Sequence, residues 1–213
     1  MFDLDGVLLD SEQLWNLAKE EVVRAEGGTW SDEAPRAMMG MSAPEWVAYM
    51  RDELGVALGA DEINDRVVAR LEGLYRERLP LLPGAVGVVE ACAARWPVGL
   101  ASSSNRTIID LVLPLMGLDG RFAATVSSEE VARGKPAPDV YLEVARRMDV
   151  DPARCVAIED SSNGIRAAAA AGMFVIAVPN PHYPPDADAL ELAHATVRQT
   201  AEITPALVER TAH

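Results

Sequence analysis

Residues 1–12 read MFDLDGVLLDSE and set Asp3 and Asp5 two positions apart, with Asp10 and Glu12 close behind. Met1, Phe2 and Leu4 make the same stretch apolar, so the two aspartates sit beside a core, where carboxylate charge is costly. Residues two apart on a strand face the same way, so both carboxylates can point at one ligand. Gly6 lets the chain leave that strand sharply.

Four later runs share this form, a short apolar segment ending in polar residues: PVGLASSSN, FAATVSSEE, CVAIEDSSNG and MFVIAVPNP. Such runs predict buried parallel strands. Helical spacing separates them, as at Ile108, Leu111, Val112 and Leu115, and at Val140, Val144 and Met148. The alternation predicts an α/β fold with a doubly wound parallel sheet.

Residues 11–80 break the rhythm. Leu14–Val23, the segment APEWVAYMRDEL, and the series Ile63, Val67, Leu71 and Leu74 each predict an amphipathic helix, and no strand is evident. An all-α insertion after the first strand is the simplest account, with LPLLPG (79–84) as the return linker. The division expected is a core of residues 1–10 and 81–213 and a helical cap of residues 11–80, hinged at 10–14 and 79–84.

Composition narrows the function. The 213 residues are 49% apolar and carry a formal net charge of −14 with no basic run, so nucleic acid and anionic membranes are not expected partners. No segment reads as a membrane span or a signal peptide, and the expected location is the cytoplasm. Two cysteines, Cys92 and Cys155, lack a zinc or disulfide pattern. A monomer is expected.

In an open α/β sheet, ligands bind outside the carboxyl ends of the strands. The residues there are Asp3 and Asp5, then Ser102, Ser103 and Ser104, then Lys135 within GKPAPD, then Glu159 and Asp160. Ser102 is the better ligand candidate, and Ser104 reads as a helix N-cap. Four carboxylates with a lysine and a hydroxyl form a hard oxygen donor set suited to Mg²⁺. The three histidines, His182, His194 and His213, lie outside every motif, which removes a Ser-His-Asp hydrolase from contention.

In this order, DLDGVLLDSE, LASSSN, GKPAPD and AIEDSSNG resemble the motifs of the haloacid dehalogenase superfamily, and within it the helical-cap phosphatases and β-phosphoglucomutase-like enzymes. The resemblance implies a Rossmann-like core with an inserted cap. It implies that Asp3 is the nucleophile, forming an aspartyl phosphate, and that Asp5 is the general acid and base. Ser102, Ser103 and Lys135 would hold the phosphoryl group; Asp3, Asp5 (through its backbone carbonyl), Glu159 and Asp160 would hold Mg²⁺. In the cap, Trp15, Gly40 and Arg66 are candidates for substrate contact, with Trp15 and Trp46 either stacking on a sugar or packing internally. Relatives usually show more apolar residues before the first aspartate, so the expectation is either that a few native N-terminal residues of the first strand are missing or that a short first strand is tolerated.

Asp5 favours phosphate esters, because dehalogenases and phosphonate-cleaving relatives lack the second aspartate. Mutase-like relatives carry a cap histidine where Trp15 stands and an arginine where Ala43 stands. The expectation is therefore a Mg²⁺-dependent phosphatase acting on a small phosphorylated metabolite such as a sugar phosphate. A β-phosphoglucomutase-type transferase is the alternative, followed by a non-catalytic phosphoaspartate signalling or binding protein.

Overall fold

The structure, a computed structural model, describes residues 1–39 and 41–212. The sheet is parallel. Strand β1 (Gly99–Ser102) pairs with β2 (Ala124–Ser127), and β3 (Val156–Glu159) pairs with β4 (Phe174–Ala177), which pairs with the two-residue β5 (Ala195–Thr196). The opening residues join the halves. Phe2 bridges Leu100 on one side and Ile158 on the other. Its amide donates to Gly99, Asp3 donates to Ile158, and Ala101 donates back to Phe2. The order across the sheet is thus β2, β1, residues 1–3, β3, β4, β5, with Asp3 at the centre of one edge. The first run pairs through single bridges at Phe2, and the left-handed Gly6 turn (φ +77°) follows it.

Helices α1 (Glu12–Ala25), α2 (Ala34–Ala37), α3 (Ala43–Asp52) and α4 (Ala60–Glu77) follow, and residues 11–80 contain no strand among the described residues. Their apolar stripes meet: Trp15, Ala18, Val22 and Val23 of α1, Trp46, Val47 and Met50 of α3, and Ile63, Val67 and Leu71 of α4 are all buried. A reciprocal Ser42–Glu45 capping box starts α3, with Pro44 in its first turn.

The two linkers lie side by side. Asp10 donates to the Pro80 carbonyl (2.8 Å) and Leu82 to that of Leu8 (3.0 Å). Helix α5 (Ala85–Ala93) returns the chain to the sheet. Helices α6 (Arg106–Leu115), α7 (Asp139–Met148) and α8 (Ser162–Ala170) make the crossovers, α9 (Ala187–Leu190) precedes β5, and α10 (Pro205–Thr211) closes the described chain. No helix is long and apolar enough to cross a membrane among the described residues, and both cysteines are free.

Candidate active site

The carboxyl ends of residues 1–3, β1 and β3 converge on a cavity of about 90 Å³, closed on its other side by the helical segment. Asp3, Asp5, Ser103, Ser104, Lys135 and Asp160 line it from the sheet side. Glu12, Trp15, Lys19, Trp46 and the methionines Met38, Met39 and Met41 line it from the helical segment and the connection between α2 and α3.

At its base is a buried ion cluster. Lys135 Nζ donates to Asp3 Oδ1 (2.8 Å), Glu159 Oε1 (2.5 Å) and the Ala101 carbonyl (3.1 Å). Burial opposes the ammonium charge, but Asp3 and Glu159 outweigh it and raise the Lys135 pKa. Asp3 is pushed up to about 8 by burial, against the pull of Lys135 and with Glu159 and Asp5 adding to the rise. Asp160 is raised for the same first reason, burial, with Glu159 and Asp3 contributing. Three acids share one ammonium here, so ionising all three would leave excess negative charge.

That excess can be met by a cation. Asp3, Glu159 and Asp160 can each offer an oxygen within 4.8 Å of the others. The Asp160 carboxylate lines the cavity and has no hydrogen-bond or ion-pair partner among the described residues. It rests against Gly6, where a Cβ would come within 1.9 Å of Asp160 Oδ2. An all-oxygen donor set with an unpaired, half-buried carboxylate fits Mg²⁺. Glu159 differs from Asp160 in being fully buried and already engaged. Its Oε1 accepts from Lys135 and from the Tyr141 hydroxyl (2.6 Å), and its Oε2 accepts from the Asp160 amide.

Asp5 stands apart from that cluster and ties the sheet to the helices. It accepts hydrogen bonds from the hydroxyls of Ser11 and Ser104 and from Trp15 Nε1 (3.2 Å). This corrects the reading of Ser104 as a cap. Asn105 occupies the N-cap position of α6, which frees the Ser104 hydroxyl to reach Asp5. Ser102 is fully buried, and its hydroxyl accepts from the Ser104 amide (3.0 Å), while Ser103 and Ser104 form the cavity wall.

The cap candidates divide. Trp15 lines the cavity, but its indole N–H is committed to Asp5, and its ring packs against Trp46 at 6.2 Å. Arg66 is not brought to the site. It is exposed and pairs with Glu26 and Glu62, because it projects from the outer side of α4. Gly40 lies outside the described residues. Sequence reasoning missed Ser11, Tyr141 and Lys19. Lys19 was legible: it follows Trp15 by four residues and precedes Val22 by three, which puts it on the buried stripe of α1.

A family model for haloacid dehalogenase-like hydrolases matches residues 1–172. Hexitol phosphatase B of Escherichia coli O157:H7 is 37% identical over 210 residues, covering 96% of this chain and 93% of that protein. Fructose-1-phosphate phosphatase YqaB of Escherichia coli (strain K12) is 34% identical over 184 residues, covering 84% and 94%. The crystal structure of CbbY from Rhodobacter sphaeroides in complex with phosphate matches with a TM-score of 0.86 at 28% identity, covering 98% of this chain and 97% of that one. The chain belongs to the haloacid dehalogenase-like hydrolases. Within them it falls in the helical-cap phosphatase group and is a phosphoric monoester hydrolase.

Proposed function

We propose that the protein is a Mg²⁺-dependent phosphatase that hydrolyses a small sugar or sugar-alcohol phosphate through an aspartyl phosphate on Asp3. The observation that carries this reading is the Lys135 ammonium held between Asp3 and Glu159 at the base of the cavity. A carboxylate nucleophile must approach an anionic phosphate, and neutralising their repulsion is most of what catalysis requires here. Asp3, Asp160 and the backbone carbonyl of Asp5 would hold Mg²⁺, and Glu159 would mainly fix Lys135. Mg²⁺, when bound, supplies positive charge to the phosphoryl oxygens.

Asp3 attacks phosphorus, the bond from phosphorus to the ester oxygen breaks, and Asp5 gives its proton to the departing alcohol. Asp5, now a carboxylate, takes a proton from water as that water attacks the phosphorus of the aspartyl phosphate. Inorganic phosphate leaves, and both aspartates return to their starting states. Lys135 and the backbone around Ser102 and Ser103 steady the phosphoryl oxygens. Residues 11–80 serve as a cap over this core of residues 1–10 and 81–213, and closure excludes bulk water. The substrate class is supported by relatives that act on hexitol phosphates and fructose 1-phosphate.

Phosphate release by wild type and Asp3→Asn, each with Mg²⁺ and with EDTA, tests the proposal. Loss of turnover in the variant and in EDTA is expected; retained release by a clean Asp3→Asn preparation overturns it.

A further inference from the structure

The chain has two lysines, Lys19 and Lys135, against 17 arginines. Both lysines are buried, and both line the same cavity. Lys135 has the ion cluster to hold it. Lys19, only 5% exposed, has no hydrogen-bond or ion-pair partner among the described residues. Its ammonium lies 5.3 Å from the Trp15 ring and 5.4 Å from the Trp46 ring, a cation–π contact with both. The indoles steady the charge, but their faces cannot accept the strong hydrogen bonds that an ammonium makes in water. Its three donors therefore lie beside the cavity with no acceptor among the described residues.

Two acids face Lys19 without closing on it. Glu12, about two helical turns back on α1, and Asp5 on the sheet side both exert their charge on it. Glu12 also lines the cavity, and among the described residues its Oε1 accepts only from Asn16 (3.3 Å). The cavity wall thus offers a donor, Lys19, beside an acceptor, Glu12. A hydroxyl group satisfies both at once, since it can accept from one and donate to the other. A second anionic group on the ligand would gain from Lys19 but would meet Glu12 and Asp5.

We propose that Lys19, with Glu12 as the acceptor on the same wall, is the residue that reads the hydroxyl groups of the leaving alcohol and so selects polyol phosphates. This rests on the phosphatase reading above. Burial also lowers the Lys19 pKa, a cost that a merely structural methionine or leucine at this place would avoid.

The test compares wild type with Lys19→Met on four esters in the presence of Mg²⁺. One is p-nitrophenyl phosphate, whose leaving group has no aliphatic hydroxyl. The others are sorbitol 6-phosphate, fructose 1-phosphate and fructose 1,6-bisphosphate. In the variant, KM for the better monophosphate is expected to rise about tenfold or more while kcat stays within about threefold, the signature of a lost charged hydrogen bond in binding. The kcat/KM for p-nitrophenyl phosphate should stay within about twofold.

Equal losses on all esters overturn the proposal, and so does a loss confined to the bisphosphate, which would make Lys19 an anion site. A wild type that hydrolyses p-nitrophenyl phosphate but prefers no polyol ester also overturns it. A wild type inactive on every ester overturns the phosphatase reading and the proposal with it. If Lys19→Met does not fold, Lys19→Gln decides: an intermediate KM for the polyol ester supports the proposal, and an unchanged KM overturns it.

Discussion

Trp15 Nε1 donates to Asp5 Oδ1 across 3.2 Å, so the first turns of the helical segment are hydrogen-bonded to the carboxylate proposed to move the proton. The same carboxylate oxygen accepts from Ser11, which immediately precedes α1. Positioning of the segment and positioning of Asp5 are therefore linked through two side chains four residues apart. A large aromatic that looks like a stacking platform also acts here through its polar edge.

Trp15→Phe keeps most of the packing against Trp46 and removes that donor. A drop of about tenfold in kcat/KM is expected, the usual cost of one hydrogen bond to a charged group. The melting temperature should change little by comparison. Steady-state kinetics and thermal unfolding of the variant check this together.

The ion cluster makes stability depend on pH and metal. The folded-state pKa of Asp3 is raised from 3.8 to about 8, chiefly by burial. Between those values the folded chain keeps a proton that the unfolded chain has released, so metal-free stability falls as pH rises from about 4 to about 8. Mg²⁺ competes with that proton and binds the ionised form. Its stabilising effect should therefore be small at pH 5 and reach about 4 °C or more in melting temperature at pH 8. Melting curves at both pH values, with Mg²⁺ and with EDTA, measure it. An equal metal effect at both would contradict the assignment of Asp3 to the cation.

Lys19 gives a dependence of the opposite kind. Its pKa falls from 10.5 to about 8, with burial as the main cause and Glu12 and Asp5 opposing it. Below pH 8 the folded protein carries the full cost of the buried charge. Between about 8 and 10.5 the folded chain loses the proton before the unfolded chain does, so stability recovers as pH rises. Lys19→Met should therefore stabilise the protein by about 1–2 kcal/mol at pH 7, after allowing for the lost contact with two indoles. That gain should shrink toward pH 10. Urea unfolding at the two pH values separates this from a simple packing effect.

How far the sequence carried these conclusions follows from the kind of signal each residue leaves. Asp3 and Asp5 were legible because strand alternation fixes two side chains at once, Glu159 and Asp160 because they end a short apolar run, and Lys135 because GKPAPD holds it in a tight connection just before a helix. Residues 1–3 are too few to carry a strand pattern of their own, and the partners Leu100 and Ile158 define their place. Strand β5, two residues long, was lost for the same reason. Ser104 was misread because a serine before a helix has two uses, capping and reaching outward, and only the position of Asn105 decides between them. Arg66 was raised as a substrate contact because its residue type suits an anion, but its side of α4 is set by Ile63, Val67 and Leu71, which turn it toward Glu26 and Glu62.

Glu159 and Asp160 are adjacent in sequence but differ in surroundings, and one substitution tells their roles apart. Glu159 is fully buried and receives Lys135, Tyr141 and the Asp160 amide, and Gly164 leaves it room, since a Cβ there would fall 1.9 Å from Glu159 Oε2. A carboxylate so fully engaged has little left to give a cation, whereas Asp160 has no such partners. Glu159→Gln preserves shape and some of these hydrogen bonds while removing the charge opposite Lys135. If Glu159 holds Lys135, kcat should fall about ten- to a hundredfold, as expected for a misplaced charge at a phosphoryl group, while the Mg²⁺ concentration for half-maximal activity moves less than about threefold. Asp160→Asn should instead raise that concentration about tenfold or more, because a direct ligand is weakened. Magnesium titrations of the two variants, followed both by activity and by melting temperature, decide the matter: a large shift for Glu159→Gln would make it a metal ligand in its own right.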